Sequence, residues 1–324
     1  MDFILLLKQS LLSPAILFFA SGILIGVLKT DLHIPESISK FLSLYLMIAI
    51  GFKGGLALAS TQEFTLQIAL LLVIGILMSF ALPFISYFFL RRTTKIDQPT
   101  AAALAAHYGS VSIITFITAG SFLKTEGLHY AGYLIAILAA MEAPAIVSGI
   151  YLAQSKSNES HPKLNIIRTF RTNGCLLLLF CSFIIGFLTG EAGFDKVKGF
   201  LEAPFQGILC LFLLDMGLLV ANQLDNLKDF TWRLLAFGFY MPIIGASLGL
   251  LTSYALGLDL GTGTMFMVLC ASASYIAVPA AMRLAITQAK AAIYVPMSLA
   301  VTFPFNVLVG IPLYYAVARL FLIN

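Results

Sequence analysis

Charge is what this chain has least of. Only 10% of its 324 residues are Asp, Glu, Lys or Arg, while 60% are hydrophobic. A soluble domain carries about a quarter charged residues and about half apolar ones. Too few ionic side chains exist here to coat a water-facing surface. That excludes a soluble enzyme, a nucleic-acid binder and a disordered chain. Cysteine is also sparse, at four residues. Cys175, Cys181, Cys210 and Cys270 all lie in apolar runs, with no C-x-x-C pair and no histidine cluster beside them. They read as small core residues, and neither zinc nor redox chemistry is signalled. A cleavable leader is not expected, because Lys8 divides two apolar stretches and no small-x-small site follows the second.

What the chain has is length of apolar run. A membrane span takes about 20 such residues. Ten runs qualify, at about 13–28, 38–59, 66–89, 100–122, 131–152, 175–188, 204–220, 233–256, 262–282 and 291–321. Connections are short, the longest being the polar, basic stretch at 153–173. An all-α integral membrane protein follows, in contact with the lipid bilayer. Thirteen of the nineteen Lys and Arg fall on one set of alternate loops and five on the other, with Lys53 inside a span. The positive-inside rule puts the richer set in the cytoplasm, so both termini are expected outside. The expected setting is the plasma membrane of a bacterium.

The two halves echo each other. At an offset of 162, Gly55-Leu-Ala-Leu-Ala59 falls on Gly217-Leu-Leu-Val-Ala221, Thr100 on Thr262, and Ser110-Val-Ser112 on Ser272-Ala-Ser274. At 160, Ile25-Gly26 meets Ile185-Gly186, and Glu142-Ala-Pro144 meets Thr302-Phe-Pro304. Five spans per copy is an odd number, so the second copy inserts upside down. The expected organisation is a first repeat at 1–152, a cytoplasmic linker at 153–173 and an inverted second repeat at 174–324. Such repeats are common in secondary transporters, with the site near the midplane where the copies meet.

Spans four and nine are weak at their centres. Gly109 and the serines around it interrupt the fourth, and Pro279, which lacks an N–H, disturbs the ninth. Backbone groups freed in hydrocarbon must face protein, water or ligand. Two broken helices crossing near the midplane are expected, their inner N-termini converging as an anion site. The candidate lining is Gly109, Ser110, Val111 and Ser112 from one break and Ser272, Ala273, Ser274 and Tyr275 from the other. Serine hydroxyls both donate and accept, which suits an oxyanion. Small residues also let helices pack closely, and a lone serine serves that role as readily.

Ionisable residues inside spans are costly and deserve a reason. Lys53 falls on Asp215 at the offset of 162, and the two are expected to form an intramembrane ion pair. Glu142, with Thr302 and Asn306 as counterparts in the tenth span, offers hard oxygen ligands suited to sodium.

These residues are where the chain becomes recognisable. Gly51-Phe-Lys-Gly-Gly55 resembles the second-span GxxGG of the sodium-dependent bicarbonate transporter family, first described in cyanobacteria. Tyr108-Gly-Ser-Val-Ser-Ile-Ile-Thr115 is similar to that family's FGAVSGST, and Met141-Glu-Ala-Pro-Ala145 to its MDIPA. Ala271-Ser-Ala-Ser-Tyr-Ile-Ala-Val-Pro279 through Arg283 resembles ASSSDISGP…R, and Ile311-Pro-Leu313 matches its final IPL. Tyr275 departs from the family's Asp, Ile113-Ile114 from Gly-Ser, and Lys53 and Asp215 from uncharged positions. The resemblance implies gate helices 1, 2, 6 and 7 and core helices 3, 4, 5, 8, 9 and 10. It also implies sodium-coupled uptake of bicarbonate, with a PII-like regulatory protein at the cytoplasmic face. A homo-oligomer is expected. A proton-coupled carrier or a sodium/proton exchanger of similar architecture is the alternative. No HExxH, paired catalytic Asp or Gly-rich phosphate loop points to an enzyme.

Overall fold

The computed structural model describes residues 14–60, 65–154, 174–222 and 230–322. The expected extracellular N-terminal segment and most of the expected linker at 153–173 lie outside the described residues. Among the described residues every regular element is helical. In chain order these are α1 (Pro14–Val27), α2 (Glu36–Ala59), α3 (Leu66–Thr93), α4 (Gln98–His107), α5 (Ile113–Thr125) and α6 (Leu134–Gln154). They continue as α7 (Gly174–Leu201), α8 (Phe205–Asn222), α9 (Trp232–Ala255), α10 (Leu260–Ala271), α11 (Ala277–Ala285) and α12 (Ala291–Phe321).

Seven of them, α2, α3, α6, α7, α8, α9 and α12, are long and apolar enough to cross a membrane. The ten apolar runs do not become ten uniform helices. Runs 100–122 and 262–282 each contain two short helices with irregular backbone between them. Run 175–188 is extended to Leu201, because Gly190 takes φ 55° and ψ −150° and turns the chain. L-residues with a Cβ are excluded from that region, so this turn needs glycine. Beyond it the helix lies back along α2, with the Phe194 ring 6.2 Å from Phe52 and Phe200 O accepting from Tyr45 Oη at 2.6 Å.

Helix starts are set by side-chain caps. Thr65 Oγ1 accepts from Ile68 N at 3.3 Å, Asp97 Oδ1 from Thr100 N at 2.9 Å and Asp259 Oδ1 from Thr262 N at 2.9 Å. Each cap satisfies a donor that would otherwise be orphaned. The 31-residue α12 carries Pro296, Pro304 and Pro312 and widens into π-helical turns at Met297–Thr302 and Asn306–Gly310. Proline withholds a helical N–H, and a wide turn absorbs the mismatch.

Packing sorts the helices into two sets. Gly22 abuts Leu214 and Gly217, and Gly26 abuts Leu218 and Ala221, so α1 and α8 run side by side in the same direction. Gly51 abuts Leu179 and Gly55 abuts Phe183 and Phe187, so α2 runs parallel to the first part of α7. The second set groups α3, α4 and α6, and likewise α9, α10 and α12. α3 and α7 leave most of their apolar surface uncovered, as hydrocarbon permits and water would not. Cys181 lies on that uncovered surface of α7, against the expectation of a core position; Cys210 and Cys270 are buried. No cysteine pairing is seen among the described residues.

Candidate functional site

The first break begins where α4 ends at His107. Tyr108 to Val111 leave the helix, and Ser112, extended at φ −111° and ψ 114°, caps α5 by accepting from Thr115 N at 3.3 Å. Two helices wall this break. On α3, Pro83 and the Ser79 carbonyl press on Gly109, where a Cβ would come within 2.4 Å of Pro83 Cγ. On α6, the Ser79 hydroxyl donates to the carbonyl of Met141, the residue at which that helix is interrupted. The next residue, Glu142, is buried, and its carboxylate accepts from the Ser110 hydroxyl.

The second break repeats the plan. α10 ends at Ala271, and Ser272 turns its hydroxyl back onto Val268 O at 2.7 Å. Gly245 of α9 approaches so closely that a Cβ there would lie 2.1 Å from Cys270 O. From α12, Asn306 Nδ2 donates to Ala271 O at 2.9 Å. Ser274 Oγ accepts from Val278 N at 3.5 Å in the first turn of α11.

The two breaks touch. Ser274 N donates to His107 O at 2.9 Å, and His107 Nδ1 donates to Ser274 O at 2.5 Å. A carbonyl only accepts, so the proton is on Nδ1, and in the neutral ring Nε2 is an acceptor. That Nε2 is buried and has no partner among the described residues. Tyr275 Oη, also buried, lies beside Ser112 without closing a hydrogen bond of good geometry. All eight expected lining residues, Gly109 to Ser112 and Ser272 to Tyr275, are buried. The sequence reading missed His107 as the staple between the breaks. Its place immediately before Tyr108-Gly-Ser was the available signal.

The expected sodium ligands occupy two places. Glu142 is bonded at the first break. Asn306 is bonded at the second, its Oδ1 accepting from Tyr314 Oη at 2.9 Å. Thr302 Oγ1 donates to Gly238 O at 3.0 Å and meets Tyr108 Oη at 2.6 Å.

Lys53 and Asp215 do not pair. Asp215 on α8 is bonded to the Arg283 guanidinium near the end of α11. Lys53 Nζ instead lies 4.9 Å from the Phe205 ring, at the start of α8. Ten residues separate Phe205 from Asp215, about 15 Å along a helix axis. Equal places at the offset of 162 therefore do not make Lys53 and Asp215 neighbours in the bundle. In the sequence Arg283 stands out only as the end of the motif that begins at Ala271.

The profile of the Na+-dependent bicarbonate transporter superfamily matches residues 14–319. The chain belongs to that superfamily. The match takes in both breaks, Glu142, Thr302, Asn306 and the Asp215–Arg283 pair, so the candidate site lies within the matched region. No curated protein sequence matches the chain.

Proposed function

We propose that this transporter carries out sodium-coupled uptake of a small anion, bicarbonate first, by alternating access around the two broken helices. The observation that carries the reading is the buried contact of the breaks at His107 and Ser274 in a chain of this superfamily. Gly109, Ser110, Val111, Ser112, Ser272, Ala273, Ser274 and Tyr275 form the anion site. The first N–H groups of α5 lack intrahelical partners, as at any helix start, and the serine hydroxyls add donors. Neutral donors hold a single negative charge without a fixed arginine, which favours release after the site reopens.

Glu142 is the carboxylate bonded to the first break, and with Ser110 it gives the hard oxygen donors that sodium prefers. Thr302 and Asn306 complete the proposed sodium ligands. Their oxygens are already engaged by Tyr108, Gly238 and Tyr314, so a cation there displaces a protein donor. One observation favours proton coupling instead: Glu142 and His107, both titratable, are buried at the breaks.

An inverted repeat of five spans each is supported by paired contacts. Asp97 caps at Thr100 as Asp259 caps at Thr262. Thr100 Oγ1 accepts from Lys290 N at 3.0 Å, and Thr262 Oγ1 accepts from Ala131 N at 3.1 Å. The parallel pairs α1–α8 and α2–α7 exchange under the same operation. In this reading α1, α2, α7 and α8 are the gate and the other helices the core. A bacterial plasma membrane, termini outside, a homo-oligomer and a PII-like regulator at the cytoplasmic face belong to the same proposal.

The test is uptake of radiolabelled bicarbonate by purified protein in liposomes, under an inward sodium gradient or an inward proton gradient. Sodium-driven accumulation is expected. Accumulation driven by protons alone favours the second coupling, and none under either gradient rejects the substrate.

A further inference from the structure

Lys53 stands without a carboxylate at ion-pair distance among the described residues. Its ammonium rests over the Phe205 ring, and Glu202 acts on it only from further off. A lysine so lightly compensated inside a span is expensive, and such residues ordinarily mark an ion path. The surroundings say which ion. Between α2, α5, α6 and α8 lies a cavity of about 320 Å³, lined by Lys53 and, as its other polar side chain, Gln206. The rest of the wall is aliphatic and aromatic. One wall residue is Ile113, the first of α5 and the neighbour of Ser112 in the first break. A cation therefore faces a cavity whose wall includes the residue next to the proposed anion site.

We propose that this cavity is the mouth by which the anion reaches the broken helices, and that Lys53 gathers it there. The ligand class is a small oxyanion with one negative charge. One ammonium and one amide match one charge, and the apolar wall leaves the further charges of a polyanion unpaired. A lysine suits this use because its compact charge sits on a flexible stem and can follow an ion inward. The bundle is unequal at its two ends. About 15 Å along α8 from Phe205, Asp215 of the gate is tied to Arg283 of the core, while the Lys53 end holds the cavity. This inference rests on the reading of the breaks as an anion site.

The test separates the two. Ile117, exposed and on the cavity wall, is replaced in Ile117→Cys. Its reaction with sulfonatoethyl and trimethylammonioethyl methanethiosulfonate, anionic and cationic, is timed above the baseline of the unsubstituted protein. With Lys53 present the anionic reagent is expected to react faster, and bicarbonate to slow it. Adding Lys53→Gln should cut the anion-to-cation rate ratio on the order of tenfold, since charged clefts concentrate counter-ions by at least that factor. Bicarbonate KM should rise by a similar factor with kcat little changed, and Lys53→Arg should restore both. An unchanged ratio, or no reaction of Ile117→Cys with either reagent because the groove faces lipid, overturns the proposal. The bicarbonate protection needs no lysine substitution, so misfolding of Lys53→Gln does not shield the idea. If the unsubstituted protein moves no bicarbonate, the substrate reading fails while the reagent ratio still judges the mouth.

Discussion

A carboxyl group as deeply buried as Glu142, at 1% exposure, depends on each donor it keeps. Ser110→Ala removes its hydroxyl partner and leaves the acceptor stranded, at about 1–3 kcal/mol. A lowered melting temperature in detergent is the expected result, and an unchanged one would show the contact to be idle. Glu142→Gln keeps an oxygen and removes the charge, so uptake should lose its dependence on sodium while the protein still folds. A sodium titration of initial rates checks this. The pair on α8 behaves differently. Arg283→Leu strands the buried Asp215 carboxylate, at about 3 kcal/mol for a broken pair, and Asp215→Leu, which leaves the half-buried Arg283 alone, should cost less. The double leucine variant should recover most of that in thermal unfolding; simple addition of the two losses would mean the side chains act independently.

Helices here are shaped by small residues where backbones meet. Gly109 has Pro83 and the Ser79 carbonyl against it, so Gly109→Ala has to push α3 away from the first break. The expected loss is about 2 kcal/mol or more, as overpacking commonly costs, together with transport, read by melting and uptake on one preparation. Much at this scale was legible in the sequence. Long apolar runs announce spans because hydrocarbon accepts nothing else for such lengths, and Gly109 among serines, or Pro279 downstream of them, marks where a helix cannot continue. Other features were not legible. Gly190 is one of 25 glycines, and nothing local says that it reverses α7. The contacts of Thr302 with Gly238 and of Asn306 with Ala271 were not legible either, because they are made only in the folded bundle. Ion partners depend on depth in the membrane, which is why Asp215 meets Arg283 rather than Lys53.

Across the whole molecule, the proposed repeat calls for like supports in the two halves, and the caps at Asp97 and Asp259 are one such pair. Asp97→Ala and Asp259→Ala each remove a cap worth about 1 kcal/mol, and Asp97→Ala also removes the Thr100 hydroxyl bond and the Lys290 pair, so its loss should be the larger. Thermal unfolding of the two variants side by side makes the comparison, and a loss confined to Asp259→Ala would show that the Asp97 cap is idle. Lys53 and Asp215, which align at the offset of 162, have unlike surroundings: one faces a cavity, and the other is paired with Arg283. With the Lys53 cavity proposed as one mouth, the two ends of the bundle are chemically unlike. The gradient such a protein can sustain is set by its coupling stoichiometry, whichever way it faces. Half-saturation is under no such constraint, so the Lys53 side should fill from dilute solution while the opposite side releases into a concentrated one.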